Sequence, residues 1–323
     1  MKIGLPRALA HYYYYPLWQK LFEELGHEVI LSDETEPKML ERGIKVTISE
    51  FCIPIKVFNA HVINLLEKGV DFCFVPRLIS VGKEWFCPKF LGLPSAVQFS
   101  IPQLADKMLT CDVKGKKYDD IGCFKDYLML CEKLSVTKQD MKKAFNKAKK
   151  HFEAFRTYCR KGHTIDEADK LLRGLPLKPQ TTEPEMTIGV LGYVYNVYDK
   201  YVSMDIINRL KKANVRVITF EMLDEKITEN PKNDENKPLF WPFTRKIYNA
   251  GRHLVDNKMV DGIIHVTAFA CGPDSVIGKM FESDFEGSGI SFMTIRMDEH
   301  SGESHVQTRI EAFCDMLSRK VSR

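Results

Sequence analysis

The feature that most constrains this chain is a rhythm of short apolar runs and amphipathic stretches that plays once, breaks, and plays again. In the first half, strand-like KIGLPRAL leads into helix-like YYPLWQKLFEELGH. HEVILS, a helix through PKMLERG, a short strand KVTISE, the helix VFNAHVINLLEKG and the apolar strands VDFCFVPRL and AVQFS follow. Strands that are apolar on both faces and alternate with helices predict a parallel sheet covered on both sides. From about Val136 to about Leu172 the pattern turns helical and charged, with apolar residues at i, i+3, i+4 and i+7. GLPLKPQTTEPEM, rich in Pro and Thr, interrupts it and marks a boundary near Glu183.

After that boundary the alternation restarts with TIGVLGYVY, SMDIINRLKKAN and VRVITF. A polar stretch around KITENPKNDENKP, then FTRKIYNAGRHLVDNK, DGIIHVTAF, ISFMTIRMD and a final helix HVQTRIEAFCDML complete it. The expectation is an α/β protein of two Rossmann-like or flavodoxin-like parallel-sheet lobes, residues 1–135 and 184–323, with a helical segment and linker over 136–183. At 323 residues the chain is long enough for two cores. Both lobes open on a strand ending in Gly and aromatic residues, IGLPRALAHYYYY and IGVLGYVYNVYD, which points to a distant duplication.

The net charge of +4 comes from 47 basic and 43 acidic residues intermingled along the chain, so no nucleic-acid partner is implied. MKIGLPRAL lacks the apolar core of a signal peptide and no apolar run approaches membrane-spanning length, so a cytoplasmic location without membrane association is expected. GxGxxG and the P-loop pattern are both absent, which gives no support for a dinucleotide site or for nucleotide hydrolysis by this chain.

Nine cysteines, an odd number, do not read as a disulfide framework in a reducing compartment. Three share one local grammar: Cys52 in SEFCIPIK, Cys87 in EWFCPKFLGLP and Cys271 in HVTAFACGPDS each sit at an element boundary with a proline close behind. Loops at the carboxyl ends of parallel strands line the ligand crevice, so thiols on three such loops are placed to meet at one point between the two lobes. Thiolates select soft metals, and the absence of any CxxC pair argues against a zinc ribbon. The competing reading is an ordinary buried cysteine at each position. Cys73, Cys131, Cys159 and Cys314 fall where a small apolar residue serves as well and are read as structural. Cys111 and Cys123 flank the GKKYDD turn, with Cys123 the better reserve ligand.

GLPRALAHYYYYPLW, EFCIPIKVFNAHV, VPRLISVGKEWFCPKFLGLP, YNVYDKYVSMDIINRL, HVTAFACGPDS and DEHSGESHVQTRIEAF, in this order, resemble the family around the 2-hydroxyacyl-CoA dehydratases and the double-cubane cluster proteins, in particular the acyl-CoA dehydratase activase-associated domain. The resemblance spans both lobes. It implies an iron–sulfur cluster, of 4Fe-4S type or a larger double-cubane assembly, held by Cys52, Cys87 and Cys271 with one iron left open. It also implies low-potential electrons from a separate ATP-hydrolysing activase with its own cluster, and a small-molecule or acyl-CoA substrate. A double cubane would need further thiolates, from Cys111, Cys123 or a second subunit. A homodimer is a further expectation, since an open iron needs shielding from water. The chain departs from the dehydratases proper in showing no acyl-CoA pocket in its sequence and no second subunit.

Near these loops, DEHSGE carries His300 and Glu303, read either as proton-transfer groups or as helix-start residues, with Ser301 as the cap. Arg7, Lys56, Arg77 and Lys89 are candidate cations for a negatively charged cluster, and Tyr12 to Tyr15 read as core. Three functions compete: a redox enzyme or enzyme component doing reductive or dehydration chemistry, a non-catalytic iron–sulfur carrier or scaffold, and a small-molecule-binding protein whose cysteines hold zinc or nothing.

Overall fold

The structure is a computed structural model that describes residues 1–116, 120, 122–178, 182–229 and 239–321. The centres of the GKKYDD turn and of the Pro/Thr linker, and most of the KITENPKNDENKP stretch, lie outside the described residues. By internal contact the chain divides into one unit of Met1–Thr157 with Phe240–Pro242 and another of Tyr158–Leu239 with Phe243–Arg323. The segmentation at 135 and 183 follows composition instead and stands as a proposal.

In the first unit, β1 (Lys2–Leu5), α1 (His11–Glu24), β2 (Glu28–Leu31), α2 (Pro37–Val46), α3 (Ile53–Glu67) and β3 (Phe72–Phe74) lead into a small second sheet made by β4 (Arg77–Val81), β5 (Glu84–Trp85) and a later strand. α4 (Pro88–Leu91), α5 (Leu93–Ser100), β6 (Met108–Leu109), β7 (Asp112–Gly115), α6 (Cys131–Leu134) and α7 (Lys138–Arg160) follow. The main sheet runs β2-β1-β3-β6, all parallel, with Ile3 opposite Val29 and Phe72; the small sheet runs β5-β4-β7. Its core is aromatic: the rings of Trp18 and Phe22 meet Phe74 edge-on at 5.4 and 5.1 Å, and the Arg156 guanidinium lies 4.8 Å over Tyr13. Tyr13 and Tyr14 are fully buried, as a core face predicts.

In the second unit come α8 (Ile165–Leu172), β8 (Met186–Leu191), α9 (Val194–Tyr198), α10 (Ile206–Lys212), β9 (Val215–Thr219), α11 (Glu225–Glu229), α12 (Pro242–Asp256), β10 (Gly262–Ala268), α13 (Gly272–Phe285), β11 (Ser291–Met297) and α14 (Glu303–Val321). Its sheet runs β9-β8-β10-β11, again all parallel. Counted by first appearance, both sheets have order 2-1-3-4, so each unit has its switch point between its first and third strands. The shared order is what a duplication would leave. No described helix is long and apolar enough to cross a membrane.

Four local expectations are corrected. KVTISE is not a strand: Lys45 and Val46 finish α2, and the Thr47 hydroxyl closes that helix by donating to the Gly43 carbonyl at 2.6 Å. AVQFS lies in α5, because Pro94 at the helix start presets φ and Leu93 and Val97 bury one face while Phe99 points to solvent. VDFCFVPRL is split at Pro76 into β3 and β4, which enter different sheets. α13 was missed although Ile277, Phe281 and Phe285 recur every fourth residue on its buried face.

One buried polar joint holds the first unit's switch point together. Ser32, just beyond β2, accepts the Arg7 N–H at 2.8 Å and meets His61 Nδ1 of α3 at 2.8 Å; the other ring nitrogen meets Thr35 Oγ1 at 2.9 Å. Burial, helped by the Arg7 charge and opposed by Asp33, pushes the His61 pKa down to about 3. The unfolded chain, with an ordinary histidine near 6.5, therefore binds the extra proton between these values, so stability falls as pH drops from about 6.5 toward 3. At pH 5 this group alone is expected to cost about 2 kcal/mol relative to pH 7. Urea denaturation of wild type and His61→Gln at both pH values checks it: a variant that loses as much stability on acidification as wild type contradicts the assignment.

Candidate metal centre

Cys52, Cys87 and Cys271 are each the N-cap of a helix: α3, α4 and α13. Their backbones are extended, with φ/ψ of −62°/152°, −61°/155° and −83°/104°, and each helix carries a proline in its first turn, Pro54, Pro88 or Pro273. Proline fits there because the first helical N–H groups have no intrahelical acceptor and its fixed φ is already helical. The proline after each cysteine thus starts a helix and does not merely hold a loop open. The positive end of the helix dipole favours a thiolate at this position.

Cys52 and Cys87 lie together in the first unit. Burial raises the Cys52 thiol to about 11, and the second cause is the neighbouring Cys87 thiol; the Ile55 N–H and the Lys89 charge pull the other way. Burial also raises Cys87, against the N–H groups of Phe90 and Lys89 and the Lys89 charge. No cap hydrogen bond to either sulfur is formed; the Ile55 and Phe90 N–H groups donate to the Cys52 and Cys87 carbonyls at 3.0 and 2.9 Å, and reach the thiols only as nearby dipoles. Lys89 joins the two loops, its Nζ 3.5 Å above the Phe51 ring centroid. Two neighbouring thiols and the Lys89 ammonium thus lie together at the N-termini of α3 and α4, and soft thiolate donors of this kind are what an iron–sulfur group takes. Loading such a group would release protons, as thiolate ligation does.

Cys271 follows β10 in the second unit through Ala270, whose φ of 62° is left-handed and strained for a residue with a Cβ. The Ser275 N–H and hydroxyl both donate to the Cys271 carbonyl, at 3.0 and 2.7 Å. Beneath this turn, Asp274 of α13 and His265 of β10 meet at 2.9 Å, both fully buried, with His265 Nδ1 and Asp274 Oδ2 otherwise unpaired. Among the described residues, no group of three or more His, Cys, Asp or Glu side chains is gathered closely enough to hold a metal ion.

The remaining candidates separate cleanly. Cys111 is fully buried between β6 and β7, and burial, then Asp126 and Asp112, raise its thiol far above normal. Cys123 is exposed, and its N–H donates to Asp126 at 2.7 Å. Cys73, Cys159 and Cys314 are buried in β3, α7 and α14, and Cys131 is half-buried at the start of α6. Arg77 is held by a two-pronged pair to Asp112 across β4 and β7, at 2.7 and 2.6 Å, and Lys56 is buried one turn into α3. His300 is exposed in a turn where its N–H and the Ser301 hydroxyl both donate to Asp298. Ser301 thus closes that turn, its Oγ also accepting the Asp298 N–H. Glu303 is paired with Arg209 of α10, which also holds Gln307.

Sequence reasoning missed the His265–Asp274 pair and the buried His11 at the start of α1. His265 reads as one more member of an apolar strand. The only available signal was a histidine in the middle of GIIHVTA, followed nine residues later by an acid in a helix's first turn.

Two parallel 2-1-3-4 units, with cysteines at the N-caps of three helices, define an α/β protein. The chain belongs to the 2-hydroxyacyl-CoA dehydratase and activase-associated family: the CoA enzyme activase uncharacterised domain matches residues 2–223, and the 2-hydroxyglutaryl-CoA dehydratase D-component matches residues 155–317. No curated protein matches it.

Proposed function

We propose that this chain is an iron–sulfur component of 2-hydroxyacyl-CoA dehydratase type, with Cys52, Cys87 and Cys271 as ligands, supplied with electrons by an ATP-dependent activase. What carries the reading is the pairing of Cys52 and Cys87 at adjoining helix N-termini in a chain of this family. When bound, a cluster with one iron free of protein thiolate supplies low-potential electrons and a Lewis-acid position.

The chain's own residues have definite tasks around it. The N–H groups of Ile55, Phe90 and Lys89 and the Lys89 ammonium offset the negative charge of the thiolates. Pro54, Pro88 and Pro273 keep the three cap residues extended. His300, exposed at the turn before α14, is available to carry a proton to substrate, whereas Glu303 reaches that role only by leaving Arg209. A homodimer and a cytoplasmic setting belong to the same proposal.

Anaerobically purified wild type is expected to contain iron and acid-labile sulfide, and each of Cys52→Ala, Cys87→Ala and Cys271→Ala to lose most of both while staying folded by circular dichroism. A cluster retained in all three variants would falsify the ligand assignment, and a folded wild type that binds none after reconstitution sinks the reading. Adding activase, ATP and reductant then separates the roles. Turnover of an acyl-CoA marks an enzyme component; reduction without turnover marks an electron carrier.

A further inference from the structure

The turns that carry Cys52 and Cys87 are held unequally. Cys87 sits between Phe86 and Phe90, both buried, with ring centroids 5.6 Å apart, and the Phe86 N–H donates to the Ile79 carbonyl of β4 at 3.1 Å. That turn is fixed on both sides. Cys52 is followed by buried Ile53 and Ile55, but the residues before it face solvent: Ile48 is 46% exposed, and Ser49 and Glu50 are exposed as well. Their hydrogen bonds are short-range, from the Phe51 N–H to the Ile48 carbonyl at 3.1 Å and from the Ser49 hydroxyl to Glu50 at 2.8 Å. Core packing therefore fixes the Cys87 turn and leaves the near side of the Cys52 turn loose.

A cation–π contact crosses from the fixed turn to the loose one. Lys89 lies between Cys87 and Phe90, and its Nζ stands 3.5 Å above the ring centroid of Phe51, the residue immediately before Cys52. Both side chains are half-buried, where such a contact is worth more than on an open surface. The thiols on either side of it are themselves neighbours, since Cys87 adds to the upward push on the Cys52 thiol.

We propose that Lys89 is the positioning residue of the Cys52–Cys87 pair: held over the Phe51 ring, it ties the loose Cys52 turn to the fixed Cys87 turn, so that the two thiols stand as one site before a metal arrives. The inference rests on reading both thiols as ligands, and it gives the ammonium a geometric task besides its charge. Ligands gathered in advance spare the metal the cost of ordering a loop, which appears as tighter binding. Charge and tie are separable. A charge acts whatever residue stands at position 51, whereas the tie needs an aromatic ring there.

The test measures binding of Cd²⁺, a soft ion whose thiolate bonds absorb in the ultraviolet, to the full chain, reduced and metal-free and carrying Cys271→Ala. Neither a cluster nor the third proposed ligand then enters the result. Cys52→Ala in this background gives the signal of the remaining cysteines, and circular dichroism checks that every variant is folded. Phe51→Leu is expected to weaken cadmium binding about two- to fivefold, the worth of one cation–π contact. Lys89→Met is expected to weaken it at least as much, and adding Phe51→Leu to Lys89→Met to change it little further. Phe51→Tyr and Lys89→Arg, which keep the contact, are expected to bind like the parent chain. The proposal is overturned if folded Phe51→Leu binds like the parent, if the two losses multiply in the double variant, or if the parent binds no more cadmium than its Cys52→Ala control. A wild type that takes up no iron while the cadmium results hold sinks the proposed function and leaves the tie standing.

Discussion

Gly43→Ala is expected to lower the unfolding free energy by about 2–3 kcal/mol and to reduce iron loading, although alanine is the better helix former by roughly 1 kcal/mol. Gly43 lies inside α2, where it faces the backbone of α3. A Cβ there would stand 2.2 Å from the Lys56 carbonyl oxygen, 2.8 Å from Ala60 Cβ and 2.9 Å from the Ala60 nitrogen. None of these is the tip of a flexible side chain, so the helices themselves must part. Parting stretches the link in which Asn59 Nδ2 donates to Thr47 Oγ1 at 2.7 Å, the bond that ties the end of α2 to α3. Cys52 stands in the short turn between those helices, so its position moves with them. Urea denaturation and iron analysis on the same preparation measure both effects. A variant as stable as wild type would show that α2 and α3 are not packed this closely.

Asp274→Ala carries the second large effect. It leaves His265 buried with no partner, enclosed by Phe281 and Phe292 at 5.6 and 6.5 Å between ring centroids. Stranding a neutral buried group costs about 1–3 kcal/mol, and breaking a buried ion pair about 3–5. The expected loss is thus at least 1 kcal/mol, and its size reports whether the pair is charged. Replacing both residues together, His265→Leu with Asp274→Leu, is expected to recover most of the stability, because no polar atom is then left unpaired. Thermal or urea melts of the single and double variants decide the matter. If the single variant melts like wild type, the bond from α13 to β10 contributes nothing. Iron loading of the folded double variant then tells whether the pair also positions Cys271, the proposed ligand three residues before Asp274.

Legibility in the sequence followed the length scale of the signal. DGIIHVTAF was readable because burial on both faces needs a continuous apolar run, as in fully buried β10, and the edge strands VRVITF and ISFMTIRMD because β-branched and apolar residues dominate them; they became β9 and β11. AVQFS and KVTISE were misread because five or six residues do not distinguish period 2 from period 3.6, and the helix-starting proline of α5 outweighed β propensity. Cys52, Cys87 and Cys271 stood out by their following prolines, but proline ends one element and begins another with the same ring. Which of the two it does here is seen only in the backbone angles.

The sequence by itself determined that the chain is α/β, that the pattern occurs twice, and that three cysteines share one setting, because each of these is written in local composition and periodicity. Only the tertiary structure decided that the two sheets have the same strand order, that Cys52 and Cys87 adjoin, that Gly43 is a point of helix contact, and that His11 and His265 are buried. The reason is physical: these facts depend on which residues far apart in the chain share a neighbourhood once the apolar faces are paired. No short stretch of sequence carries that information.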